Sequence, residues 1–246
     1  LHSLRRRQRQ MCIRDSNRTS KRSRRGDTRH MWDWSKNQIE IIFLRHGMTI
    51  ENEQHRYLGN TDTSLSRNGI CKLQALQKNG TYPKTDILFC SPMKRCTETA
   101  EILYPNHTPI YIPEWREMDF GEFEGKNYAQ LNGDPRYQAW IDSGGTLAFP
   151  GGESREAFIA RCVDGMELVM EQIRQQLAYR ACPKCRETED NGMIQEPLPV
   201  AAVVHGGTIM ALLSHYCGGD YFSYQVKNAE GYHCLLYTSD AADDGE

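Results

Sequence analysis

Three short apolar runs in the chain each break abruptly into a polar turn. Glu40-Ile41-Ile42-Phe43-Leu44 runs into Arg45-His46-Gly47, Asp86-Ile87-Leu88-Phe89-Cys90 into Ser91-Pro92, and Val200-Ala201-Ala202-Val203-Val204 into His205-Gly206-Gly207. Runs of this length bounded by turn signals read as strands buried on both faces of a parallel sheet. Thr108-Pro109-Ile110-Tyr111-Ile112 is a weaker fourth strand, and a proline near its start suits a sheet edge. Between the runs the spacing of apolar residues lengthens to three or four. It predicts helices over Ser66–Lys78, around Ile70 and Leu73, and over Met93–Leu103, with Pro92 in the first turn. The longest predicted helix runs from Glu153 to about Tyr179, with Phe158, Cys162, Met166, Val169, Ile173 and Leu177 on one face. Strands alternating with helices predict an α/β fold, a three-layer α/β/α sandwich around a mainly parallel sheet. Cys182–Pro199, charged and holding Asn191-Gly192, reads as a loop insertion before the last of these strands.

Charge changes the picture at the start of the chain. The net charge is −2 over 246 residues, yet residues 1–30 hold eleven Lys or Arg against Asp15 and Asp27, a balance of +9. The remainder is therefore at −11. Arg6-Arg7-Gln8-Arg9-Gln10-Met11-Cys12-Ile13-Arg14-Asp15-Ser16 resembles one strand of a sequencing adapter translated in frame. Cys234-Leu235-Leu236-Tyr237-Thr238-Ser239-Asp240-Ala241-Ala242-Asp243-Asp244 resembles the opposite strand. The expected organisation is a non-native or disordered Arg-rich tail over 1–37, one folded domain over 38–233, and an adapter-like tail over 234–246. The natural chain is expected to begin between Asn17 and Met31.

Nine spread cysteines suit reduced thiols better than a disulfide framework, which implies a cytoplasmic protein. Cys182-Pro183-Lys184-Cys185 has the spacing of a metal grip, but structural zinc needs four ligands and no second pair follows. No metal and no cofactor are expected. No apolar stretch is long enough to span a bilayer, so no membrane partner is expected either.

In open α/β sheets, ligands bind beyond the carboxyl ends of the strands. If the three strands are neighbours, two histidines and two arginines converge there. A neutral imidazole is a nucleophile, a guanidinium matches phosphate oxygens, and glycine lets backbone N–H groups approach an anion. Those parts suit a phosphate site.

Leu44-Arg45-His46-Gly47-Met48-Thr49-Ile50-Glu51-Asn52 matches the R-H-G-x-T-x-x-N signature of the histidine phosphatase superfamily, the phosphoglycerate-mutase-like fold, and the chain resembles that family from about residue 38 to 233. The match continues in order through Arg56-Tyr57-Leu58-Gly59, Ser91-Pro92 with Arg95, Arg116-Glu117-Met118-Asp119-Phe120-Gly121, Pro150-Gly151-Gly152-Glu153-Ser154 and His205-Gly206-Gly207. The resemblance implies that His46 is the nucleophile and forms a phosphohistidine. It implies that Arg45, Arg95, His205 and Asn52 hold phosphoryl oxygens, with backbone N–H groups near Gly206 assisting. Glu117 becomes the acid that protonates the leaving oxygen, a role that needs a raised pKa. Thr49 is placed with the substrate-binding residues and Ser91 behind them. Arginines and a second histidine supply the positive charge that a metal supplies elsewhere.

Within the family, cofactor-dependent mutases carry a Tyr three residues after the acid and a later Arg-Arg pair gripping the substrate carboxylate. Here Phe120 stands at the first position and Arg136 is the one arginine between Glu117 and Glu153. The chain looks more like the small bacterial phosphatases, including α-ribazole-5′-phosphate phosphatase of cobalamin biosynthesis. The expected function is a metal-independent phosphomonoesterase acting on a small phosphorylated metabolite, with α-ribazole 5′-phosphate suggested first and a sugar phosphate second. The alternative is a cofactor-dependent phosphoglycerate mutase-type phosphotransferase. An alternative of another class is a nucleic-acid-binding protein with a degenerate phosphatase domain; the acidic body of the chain argues against it, and no nucleic-acid partner is expected. A monomer or homodimer is expected.

Overall fold

The computed structural model describes residues 8–14, 39–181 and 198–239. Its sheet is built from β1 (Gln8–Arg14), β2 (Ile39–Arg45), β3 (Ile87–Cys90), β4 (Ile110–Tyr111), β5 (Leu198–Val204) and β6 (Gly231–Ser239), in the spatial order β1-β6-β2-β5-β3-β4. The three apolar runs are the adjacent strands β2, β5 and β3, all parallel. β4 lies parallel at the outer edge beside β3, where a strand carrying proline loses no ladder bond. β6 runs antiparallel to β2. The sheet is thus mixed but mostly parallel.

Successive side chains on a strand point to opposite faces, and two cores result. Ile41, Phe43, Phe89, Val200, Ala202 and Val204 face one side, against α6 (Arg155–Ala181) and α7 (Gly206–Cys217). Leu44, Leu88, Cys90, Ala201 and Val203 face the other, against α2 (Arg67–Lys78) and α3 (Lys94–Leu103). This is the expected three-layer arrangement. The stripe from Phe158 to Leu177 on α6 is buried as its period requires.

Three local differences have plain causes. Pro92 lies ahead of α3 instead of in its first turn, because Ser91 N–H still extends the sheet by donating to Val203 O at 3.0 Å and the helix is entered at its N-cap, Met93. α7 opens on Gly206-Gly207, poor helix formers whose cost is met by burial of its apolar body. Within the segment expected to be a tail, Gln8–Arg14 form β1, parallel to β6 from His233 to Ser239. An open sheet edge accepts main-chain bonds from any extended segment, whatever its sequence. Cys182 and Cys185 lie outside the described residues. Among the described residues no helix is long and apolar enough to cross a membrane, and no group of three or more His, Cys, Asp or Glu is placed to hold a metal ion.

Candidate active site

The parallel order β2-β5-β3 brings three strand ends to one place. Arg45 and His46 leave β2, His205 leaves β5, and Ser91 follows β3. The loop after β2 is pinned by the sheet itself, His46 N–H donating to Val204 O at 2.9 Å. The two imidazoles meet edge to face with ring centroids 5.2 Å apart. Both are essentially buried, His46 at 2% and His205 at 0% exposure.

Hydrogen bonding fixes the protonation of His46. Its Nδ1 lies 2.6 Å from Gly47 O, and a carbonyl can only accept, so Nδ1 carries the proton and Nε2 the free lone pair. Burial, and then the charges of Arg95 and Arg45, hold its pKa well below the usual histidine value, so the ring is neutral. His205 is held neutral by burial and by the same arginines together with His46. Ser91 Oγ lies 2.8 Å from its Nε2 and orients the ring.

Arg95 is fully buried in the first turn of α3 and is steered by backbone carbonyls, donating to Gly59 O at 2.8 Å and Thr61 O at 2.9 Å. Arg45 donates to Val226 O at 2.7 Å. The Nε–H of each guanidinium is buried without a hydrogen-bond partner. Buried donors are nearly always paired in native proteins, so two orphans on two cations beside a neutral histidine mark where an anion belongs. Gly206 is what lets Arg45 lie there, since a Cβ at that position would sit 3.3 Å from its Nε.

The Glu117 carboxylate accepts from Met118 N–H at 2.9 Å and Gly207 N–H at 3.2 Å. Burial raises its pKa, against the two backbone donors and the charges of Arg95 and Arg45, which lower it. The direction is the one an acid at neutral pH requires. A Cβ on residue 207 would fall 2.1 Å from Glu117 Oε1, so only glycine admits this carboxylate.

Asn52 and Thr49 form the capping box of α1 (Ile50–Glu53): Asn52 N–H donates to Thr49 Oγ1 at 3.2 Å and Thr49 N–H to Asn52 Oδ1 at 3.3 Å. With Oδ1 engaged, the Nδ2 donors of Asn52 form the other end of the amide. Thr49 is fully buried and its hydroxyl serves this cap, which places it behind Asn52.

One residue escaped sequence reasoning. Asn228, buried in the segment before β6, donates through Nδ2 to His46 O at 3.2 Å, Gly47 O at 3.2 Å and Asn52 Oδ1 at 3.0 Å. Ala229 N–H joins it, reaching Arg45 O at 3.1 Å. The segment 226–230 is therefore a strap over the Arg45-His46-Gly47 loop. No local pattern marks Asn228, which lies three positions ahead of β6.

A cavity of about 630 Å³ opens beside this cluster, lined by Glu117 with Asn60, Arg116, Asp119, Glu153 and Arg161. Glu117 is the one candidate site residue among its lining, so the cavity adjoins the histidine pair at the acid.

Comparison with known proteins agrees with this geometry. The family model for histidine phosphatase superfamily (branch 1) matches residues 41–240. The uncharacterized phosphatase PhoE of Bacillus subtilis is 30% identical over 185 residues, 73% of this chain and 78% of that protein. A 2,3-bisphosphoglycerate-dependent phosphoglycerate mutase of Neisseria meningitidis is 30% identical over 121 residues, 44% of this chain and 52% of the mutase. The chain thus spans about half the length of the mutases it matches. Among solved structures, a putative α-ribazole-5′-P phosphatase from Escherichia coli superposes with a TM-score of 0.60 at 22% identity, covering 85% of this chain and all of that one. With a matching fold, paired strand-end histidines and a family model spanning most of its length, this chain belongs to the histidine phosphatase superfamily, branch 1, a family of phosphatases and mutases.

Proposed function

We propose that this chain is a metal-independent phosphomonoesterase that works through a phosphohistidine on a small phosphorylated metabolite. The observation that carries it is the pair of orphaned, buried Nε–H donors of Arg45 and Arg95 beside a neutral His46 whose Nε2 lone pair is free. In the first step Nε2 attacks phosphorus, the ester P–O bond breaks, and the Glu117 carboxyl gives its proton to the leaving oxygen. In the second, water attacks phosphorus, Glu117 takes the water's proton, and the N–P bond breaks to release phosphate and neutral His46. Arg45, Arg95, Asn52 and the Nδ1–H of His205, with Ser91 donating to its Nε2, hold the phosphoryl oxygens where negative charge develops. N–H groups in the first turn of α7, at Gly206, add to this.

Phosphatase chemistry is favoured over mutase chemistry because no adjacent Arg-Arg pair, the mutases' carboxylate clamp, stands between Glu117 and Glu153. Arg136 is exposed and bound to Glu122 at 2.7 Å and Asp134 at 2.8 Å, which leaves it committed elsewhere. α-Ribazole 5′-phosphate and sugar phosphates head the substrates to try. The test is phosphate release from a phosphomonoester panel with EDTA present and His46→Ala alongside. Release that persists in EDTA and vanishes in the variant, with an acid-labile phosphoenzyme trapped on the wild type, is the expected result. Turnover surviving His46→Ala, or lost to EDTA, defeats the proposal.

A further inference from the structure

The aim of Arg95 depends on two carbonyls of an irregular segment. Its NH1 donates to Thr61 O at 2.9 Å and its NH2 to Gly59 O at 2.8 Å, while the buried Nε–H stays unpaired. The same two residues turn their N–H groups to one atom, Glu124 Oε1, which accepts Gly59 N–H at 3.1 Å and Thr61 N–H as well. One carboxylate oxygen and one guanidinium thus hold the same pair of residues by opposite groups. Main-chain bonds set that register: Gly125 N–H donates to Tyr57 O at 2.8 Å and Tyr57 N–H to Lys126 O at 2.9 Å, which brings Glu124 alongside residues 59–61. Its neighbour Phe123 is fully buried, packs on Tyr137 and Phe149, and anchors the turn in the core. Gly59 is pressed against the chain behind it, since a Cβ there would fall 2.0 Å from Met118 O. Farther on, Asp62 Oδ1 accepts Lys94 N–H at 2.7 Å and ties the segment to the start of α3.

We infer that Glu124 is a positioning residue for Arg95: by gripping Gly59 and Thr61 it keeps their carbonyls where they turn the guanidinium toward a bound phosphoryl group. This rests on the proposed phosphatase reading, which places a phosphoryl group at the unpaired Nε–H. Asn60, Thr61 and Asp62 are exposed and lie outside any helix or strand, so no ladder of main-chain bonds holds the segment. A carboxylate accepting from N–H groups makes charge-assisted bonds, about twice as strong as neutral ones, and two of them on one oxygen fix the spacing of the two amides. Without Glu124 the carbonyls are free to turn. Arg95 then keeps its charge and loses its aim. A displacement of about 1 Å in a group that orients the reacting centre costs on the order of 10²-fold in rate.

Inorganic phosphate, a product of the proposed reaction, is the probe for binding, read by calorimetry, and p-nitrophenyl phosphate is the probe for turnover, both on the full chain. Glu124→Ala should weaken phosphate binding about tenfold and lower kcat/KM about 10²-fold. In an Arg95→Ala background the same substitution should add nothing to either loss, because a residue that acts through Arg95 has nothing left to aim. Glu124→Asp, charged but one methylene shorter, cannot reach both amides and should fall close to Glu124→Ala. Glu124→Gln, which keeps an accepting oxygen at full length, should recover most of the phosphate affinity. Those two variants decide the matter where Glu124→Ala does not fold. Losses that add in full on top of Arg95→Ala would mean that Glu124 supports the fold at large, and would overturn the inference. So would unchanged phosphate affinity in folded Glu124→Ala, Glu124→Gln no better than Glu124→Asp, or no phosphate binding by the unmodified chain. Phosphate binding with the expected dependence on Glu124 and Arg95, but no release of phosphate from p-nitrophenyl phosphate, would instead defeat the phosphatase reading and uphold the role of Glu124.

Discussion

Burial shifts His46 and Glu117 in opposite directions from one cause. It penalises charge, which lowers the pKa of the imidazole and raises that of the carboxyl. Turnover should therefore fall on the acid side as His46 takes a proton, below its ordinary 6.5, and on the alkaline side as Glu117 loses one, above its ordinary 4.5. A pH profile of kcat/KM for Glu117→Gln should lose the alkaline limb and keep the acid one. Asn228 is a positioning residue: Asn228→Ala should lower kcat by about 10²-fold with little change in KM, the scale of a misplaced nucleophile, while the melting curve stays cooperative. Asn228→Asp, unable to donate to two carbonyls, should not rescue it. The motif residues were readable because each strand end writes its chemistry within a few positions. Asn228 was not, because its bond to His46 spans 182 positions and depends on β6 pairing beside β2.

At the scale of elements, α7 does two jobs with one sequence. Its first turn is backbone alone at Gly206 and Gly207, where Arg45 and Glu117 press against it, and its remainder is core, with Ile209, Ala211, Leu212 and Leu213 fully buried. Gly207→Ala should therefore remove most activity by pushing Glu117 aside and cost about 1–3 kcal/mol of stability, readable in denaturant melts. An equally active Gly207→Ala protein would mean that Glu117 has another resting place. The strands β2, β3 and β5 and the helices α2, α3 and α6 were legible because their apolar period is long and regular. α7 was hidden by its two glycines. The antiparallel entry of β6 was hidden because strand direction follows from connection geometry, which the residues of the strand do not encode.

For the whole molecule, the site draws on β2, β5 and β3 and the strap before β6, while β1 lies beyond β6 at the far edge of the sheet. Removing residues 1–37 should leave kcat unchanged; loss of a measurable affinity for DNA would revive the nucleic-acid reading. Global stability should respond to the buried histidines. Their folded pKa values lie well below 6.5, so the unfolded chain binds more protons just beneath that value, and their full contribution holds above 6.5 and is lost as pH falls. Glu117 acts oppositely, its contribution present below 4.5 and lost as pH rises through its elevated pKa. Melting temperatures should drop between pH 7 and 5, and His205→Asn should flatten that slope. The strap has one more consequence, in time instead of space. Arg45, His46, Arg95, Glu117 and His205 all precede Val226, so a chain growing on the ribosome holds every reacting group before it holds the clasp that seats the nucleophile. Competence arrives only once residues 226–230 are made, and a nascent chain halted before Asn228 carries the chemistry without the alignment.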